Sequence, residues 1–143
     1  MKRLKNILVP LDGSKNSIRG LDEAILLARQ SHATITGFYV KQVPAVYALH
    51  RSGFLGVDLS KKAKQILDSA KLRAAKKDIL FKGKSAKGAD PSFDIVSFAH
   101  SKKNKIDLIV IGARGISYAR EIFFGSVSNY VIHTSKKPVL LVK

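Results

Sequence analysis

Ile106-Asp107-Leu108-Ile109-Val110-Ile111-Gly112-Ala113-Arg114-Gly115, continuing through Ile116 to Phe124 into Gly125-Ser126, is the stretch that decides the fold. Its opening run, Ile106 to Ile111, is almost wholly aliphatic and rich in β-branched residues, which reads as a strand buried on both faces. Downstream, Val127-Ser128-Asn129-Tyr130-Val131-Ile132 reads as the first turns of a helix opening at Ser126. Glycine stands where the strand ends, again at 115, and again at 125 just before the Ser126 hydroxyl. Glycine lets backbone approach a ligand closely and takes positive φ at no steric cost. A helix N-terminus presents unsatisfied N–H groups and the positive end of its dipole. Strand, glycine loop and helix N-terminus in that order make a phosphate-holding arrangement. Arg114 and Arg120 are candidates for charge-assisted contacts to it.

Outward from this stretch, apolar runs and helical patterns alternate along the chain. Strands are expected at Leu4 to Leu11, Thr34 to Val40, Asp78 to Lys84, Ile106 to Gly112 and Pro138 to Val142. Ile18, Leu21, Ile25 and Ala28 recur at helical spacing between the first two. Ala63, Ile66, Leu67, Ala70 and Ala74 form a second apolar stripe within Leu59 to Ala74. Asp90-Pro91 reads as a cap followed by proline in the first turn, with Ile95, Phe98 and Ala99 as that helix's buried face. The alternation predicts βαβ units around a parallel sheet, an α/β fold in a single domain over residues 1–143. Lys41 to Asp58 fits poorly: it has a proline, two glycines and no sustained period. Long connections of this kind are functional or mobile. Tyr47, His50 and Phe54 belong either to a flap over a ligand or to a surface excursion.

Composition narrows the function classes. The 143 residues suffice for one sizeable core, and 45% hydrophobic content with 4 prolines argues against disorder. No apolar run approaches a membrane span, and Met1-Lys2-Arg3 leads straight into a strand rather than a signal peptide. Cysteine is absent, which leaves no disulfide framework and no thiolate chemistry. A cytoplasmic location is the expectation. The 26 basic against 10 acidic residues give a formal charge of +16, a field that attracts phosphates of any kind. Lys61, Lys62, Lys64, Lys71, Arg73 and Lys76 spread around the second apolar stripe, which favours a solvated helix over a nucleic-acid surface.

The spacing Gly112-x2-Gly115-x9-Gly125-Ser126 resembles, glycine for glycine, the nucleotide-binding motif of the universal stress protein family. Asn6-Ile7-Leu8-Val9-Pro10-Leu11-Asp12-Gly13-Ser14 resembles that family's first strand and acidic turn, and Pro138-Val139-Leu140-Leu141-Val142 its closing strand. The resemblance covers the whole chain. It implies an open five-stranded parallel sheet of order 3-2-1-4-5 with helices on both faces, Rossmann-like. The carboxyl ends of strands one and four, Pro10-Leu11-Asp12 and Ile111-Gly112, would then line one crevice at the point where strand order reverses.

That match implies the site. Asp12 would meet a ribose hydroxyl or an adenine amino group; its residue type equally suits capping the helix after Gly13-Ser14, and both roles are compatible. Val40 matches a position whose backbone meets adenine. Gly112, Gly115, Gly125, Ser126 and Val127 would contact ribose and phosphates through backbone N–H groups. Ser126 is also a candidate ligand of a phosphate-bound Mg²⁺. Arg114 is either a phosphate contact or a solvated loop arginine. The implied ligand is ATP, with ADP, AMP or a cyclic adenylate as alternatives, because Ile116 to Phe124 is bulkier than in many relatives. The family also implies a homodimer through residues 138–142.

Other phosphate motifs are missing: there is neither G-x4-G-K-[ST] nor G-x-G-x-x-G. His32, His50, His100 and His133 are scattered without metal-ligand spacing. ATP hydrolysis requires a group to orient water, and only Asp12 and Glu121 are candidate carboxylates. A slow nucleotidase is therefore the second reading. A basic nucleic-acid-associated module is the third, resting on charge alone without aromatic interleaving or a recognition helix, so that nucleic-acid binding is expected to be weak and non-specific.

Overall fold

A computed structural model of the chain describes residues 2–43, 53–114 and 125–143. Strand β1 (Asn6–Pro10) leads into helix α1 (Lys15–Ser31), β2 (Thr34–Gln42) and α2 (Gly53–Ala75). They are followed by β3 (Phe81–Gly88), α3 (Pro91–His100), β4 (Leu108–Gly112), α4 (Ser126–Thr134) and β5 (Val139–Val142). The five strands form one parallel sheet of order β3-β2-β1-β4-β5. Strand order reverses between β1 and β4, which pair through Ile7–Leu108 and Leu8–Ile109.

Burial on both faces explains why the central strands are nearly continuous apolar runs. One core layer takes Ile7, Val9, Ile35 and Val110 from the sheet and packs them under α1 and α2. Leu21, Ala24 and Ala28 enter it from α1, and Ala70 and Ala74 from α2. Leu8, Phe38, Ile109 and Ile111 face the other layer with Ile95, Ala99 and Val131 from α3 and α4. Phe38 and Phe98 stack there with ring centroids 4.4 Å apart. The expected apolar stripes of α1, α2 and α3 are thus the buried faces.

Caps set the helix ends. The Ser14 hydroxyl accepts the Ser17 amide at 3.1 Å to open α1, and Asp90 accepts the Ser92 amide at 3.0 Å to open α3, with Pro91 in the first turn. His32 and Asp78 take left-handed φ of 57° and 58° where α1 and α2 stop. In each case the next amide, Ala33 or Ile79, reaches back to a carbonyl of the last turn, Ala28 or Ala74.

This ending corrects the third strand, expected at Asp78 to Lys84. Asp78 and Ile79 complete the helix terminus, Leu80 gives its carbonyl to the Ile35 amide of β2, and the strand runs from Phe81 to Gly88. The poorly patterned stretch, expected at Lys41 to Asp58, is also shorter. β2 continues to Gln42 and α2 begins at Gly53, six residues before the expected Leu59. Phe54 belongs to α2, whereas Tyr47 and His50 of the suggested flap lie outside the described residues.

Candidate functional site

A cleft of about 330 Å³ opens at the carboxyl ends of β1 and β4, within the size range of small-molecule sites. It lies where the reversal of strand order leaves a crevice, with α1 leaving on one face of the sheet and α4 on the other. The sheet contributes Pro10, Leu11 and Asp12 from the end of β1, Val40 from β2, and Ile111 and Gly112 from β4. Arg114, Gly125, Ser126 and Val127 line it from the loop and helix beyond β4. Two motifs a hundred residues apart in sequence therefore share one cavity. Gly115, Arg120 and Glu121 lie outside the described residues.

The β1–α1 junction is closed by its own side chains. Gly13 turns the chain at φ 84°, in the left-handed region that favours glycine. The Asp12 carboxylate accepts the Ser14 amide at 2.8 Å across that turn. Ser14, rather than Asp12, is the N-cap of α1, and Ser17 returns a hydroxyl bond to the Ser14 carbonyl at 2.9 Å. The helix-capping role open to Asp12 as an alternative to ligand contact is thus taken by its neighbour two residues on, and Asp12 braces the turn from the cleft wall.

The β4–α4 junction is built differently. Gly125 occupies the N-cap of α4, and among the described residues no side chain caps that helix. The Gly125 amide donates to the Ala113 carbonyl at 2.6 Å, which pins the returning chain beside the end of β4. The buried Ser128 hydroxyl donates to the same carbonyl at 2.7 Å. Two corrections follow for the glycines. The Gly125 amide, expected to face phosphate, is committed to Ala113, so the donors left by helix geometry are those of the first turn, beginning at Ser126 and Val127. Gly112 is required first by packing. A Cβ there would lie 2.5 Å from the Asn16 carbonyl oxygen and 2.7 Å from its carbon, both in the backbone of α1. Gly20 is the counterpart, since its Cβ would stand 3.2 Å from the Gly112 nitrogen. These two glycines let α1 lie against the end of β4.

Sequence reasoning missed several walls of the cleft. Phe38, Tyr39 and Gln42 enter from β2, Leu59 and Lys62 from α2, and Pro91 and Ile95 from α3. Tyr39 is buried, and burial together with the nearby Asp12 carboxylate raises its hydroxyl above the usual tyrosine pKa, so it stays a protonated donor. Ser128 was missed because its partner lies 15 residues upstream. The cleft thus combines an apolar floor, a carboxylate and a phenol on one side, and a helix N-terminus with Arg114 on the other. That disposition suits a ligand with a planar apolar body, hydroxyl groups and an anionic end.

Elsewhere the titratable groups serve the scaffold. The His100 Nε2 accepts the Lys136 amide at 2.9 Å, tying the end of α3 to the approach of β5. Asp107 accepts the Lys5 and Asn6 amides, each at 3.0 Å. Burial pushes its carboxyl up, but those two amides and Lys2 outweigh burial and hold it below the usual range. Among the described residues no three His, Cys, Asp or Glu side chains cluster as a metal site, and no helix is long and apolar enough to cross a membrane.

Known proteins agree with this architecture. Universal stress protein YxiE of Bacillus subtilis is 33% identical over 147 residues, covering 96% of this chain and 97% of its own length. The structure of the universal stress protein UspA from Lactobacillus plantarum superposes with a TM-score of 0.81 at 27% identity, over the full length of both chains. The universal stress protein from Archaeoglobus fulgidus in complex with dAMP superposes at 0.74 with 25% identity, covering 99% of this chain and 100% of that one. The model of the universal stress protein family matches residues 3–143. By that match and by its fold, the chain belongs to the universal stress protein family.

Proposed function

We propose that the chain binds an adenine nucleotide, ATP as its magnesium complex, in the cleft between β1 and β4. It then acts as a cytoplasmic stress-response regulator whose nucleotide state alters what it binds. The observation carrying this reading is the N-terminus of α4, which lines the cleft and whose N-cap is a glycine, with no side-chain cap among the described residues. Backbone donors and the helix dipole there suit phosphate. The amides of Ser126 and Val127 hold the phosphates, Arg114 adds a charge-assisted contact, and the Ser126 hydroxyl reaches the Mg²⁺. Asp12 accepts from the ribose hydroxyls, and the Val40 backbone meets the adenine. A relative of the same fold in complex with dAMP supports the nucleotide class.

The proposed assembly is a homodimer through β5. Its sequence Val139-Leu140-Leu141-Val142 carries no charge at a sheet edge, and Leu140 is 38% exposed there, whereas such edges are ordinarily guarded. Leu140→Lys should give a folded monomer by sedimentation; an unchanged dimer would move the interface elsewhere.

The central test is thermal denaturation with and without Mg·ATP. Ligand at a hundredfold its Kd stabilises by about 2.7 kcal/mol, or roughly 5–10 °C in Tm for a domain of this size. Mg·GTP should shift it less. No shift with any adenine nucleotide at millimolar concentration would remove the reading.

A further inference from the structure

A second concavity, about 520 Å³, lies between α1 and α2 and shares no lining residue with the nucleotide cleft. Its floor includes Ile25, which is buried, and its two lips carry Leu26 of α1 and Leu72 of α2, 51% and 60% exposed. Large aliphatic side chains on both lips of one groove are unusual for helix faces turned to solvent. Asp22 and Arg73 span the two helices, with bonds of 2.5 and 2.9 Å, so the one carboxylate among the described residues of the groove is already matched. Arg29, Lys76 and Lys77 give the remaining rim a positive sign.

We propose that this groove docks an acidic amphipathic segment of a partner protein, whose aliphatic side chains enter between Leu26 and Leu72 while its carboxylates meet Arg29, Lys76 and Lys77. Each feature narrows the occupant. A second copy of this chain would bring a basic rim against a basic rim in any two-fold pairing across this groove. A nucleic acid would use the cations but not the leucines, and among the described residues the groove holds no aromatic side chain on which bases stack. An amphipathic helix with acidic flanks uses both. The strongly positive field would speed its encounter.

The test is fluorescence anisotropy at about 0.15 M salt, without nucleotide, so that its outcome is independent of the cleft. One labelled helical probe carries leucine at i and i+4 with glutamates elsewhere; its control has the leucines changed to serine at equal charge. The leucine probe should bind saturably, and the serine control about tenfold or more weakly. Leu26→Ser with Leu72→Ser should cost about tenfold in affinity for the leucine probe. Arg29→Glu with Lys76→Glu and Lys77→Glu should abolish its binding, as a second variant set that leaves both leucines in place. All these side chains are exposed, so unchanged thermal denaturation checks the fold of each variant. Equal binding of the two probes, or leucine-probe binding indifferent to the double serine variant, would overturn the proposal. So would an oligonucleotide whose binding depends on the two leucines, or an oligomer that the double serine variant breaks apart.

Discussion

At the end of β1 the chain turns through Gly13 and enters α1 with two amides held by side chains: Asp12 takes the Ser14 amide and the Ser14 hydroxyl takes that of Ser17. At the end of β4, on the neighbouring strand, the chain returns through Gly125 and enters α4 with no side chain at the cap. The bonds that fix this second junction, from the Gly125 amide and the Ser128 hydroxyl, both end on the Ala113 carbonyl behind the helix. One junction is capped by side chains of its own, and the other is braced through the Ala113 carbonyl, with no side-chain cap on its first turn among the described residues. On the proposed reading the difference divides the work of a single cleft: the β1 side would supply side-chain acceptors and the β4 side backbone donors. Substitutions at the two junctions should therefore separate stability from binding, and they are taken in order of their effect on the free protein.

The largest effect belongs to Gly112→Val. Its Cβ would meet Asn16 backbone, which cannot swing aside as a side-chain terminus can. Overpacking of a well-packed core costs typically about 1–3 kcal/mol and occasionally more; about 3 kcal/mol, or roughly 10 °C in Tm, is expected without any ligand present. A variant with unchanged Tm that loses only nucleotide binding would return Gly112 to the role of ligand approach.

Ser128→Ala comes next. The Ala113 carbonyl keeps the Gly125 amide but loses the buried hydroxyl, at a cost of about 1–2 kcal/mol. Because that hydroxyl also accompanies the helix start, bonding the Gly125 carbonyl at 3.1 Å, nucleotide affinity should fall together with Tm. Calorimetric titration with Mg·ATP beside a melting curve reads both, and unchanged affinity would detach Ser128 from the site.

Ser14→Ala makes the contrast. Removing an N-cap hydroxyl costs about 1 kcal/mol, a few degrees in Tm, but the lost bond serves α1 alone. Affinity for Mg·ATP should stay within about twofold of the parent, less than 0.5 kcal/mol. A loss as large as that of Ser128→Ala would mean that the two junctions act as one.

How much of this was legible in the sequence depends on the range of the interaction. The order of elements and the central strands were readable because burial on both faces leaves unbroken runs such as Ile7-Leu8-Val9 and Ile109-Val110-Ile111, all at most 5% exposed. Asp90-Pro91 was readable because a cap is local. The start of β3 was not: Ile79 and Leu80 look like strand residues, yet Ile79 closes the end of α2 and Leu80 is 64% exposed. The β3 edge also lacks an apolar period, with lysine at 82, 84 and 87 guarding it. The glycines at 112 and 125 line the cleft, but their partners, Asn16 and Ala113, are tertiary neighbours that no local pattern names. Ser128, Gly20 and Tyr39 went unnoticed on the same ground.

The smallest effect on stability, and the sharpest test of the comparison, is expected from Gly125→Ser. Gly125 sits at φ −71° and ψ 161°, extended backbone that serine adopts without strain. A serine at this N-cap would do for α4 what Ser14 does for α1, accepting an amide of the first turn. Replacing glycine by serine at an N-cap is worth only a few tenths of a kcal/mol, so the free protein should melt at the same temperature or slightly higher. The amide that the new hydroxyl engages is one that phosphate needs, so Mg·ATP affinity should fall severalfold while stability does not. Gly125→Asp extends the test, because its carboxylate adds a favourable interaction with the helix dipole in the free protein and repels the phosphates of the ligand. The expected order of affinity is parent, then Gly125→Ser, then Gly125→Asp, with Tm in the absence of nucleotide level or rising along the same series. Affinity and stability moving in opposite directions is the signature of a helix end left open for an anion. If both variants bind Mg·ATP like the parent, the open end of α4 is not where the phosphates lie, and the contrast between the two junctions loses its functional meaning.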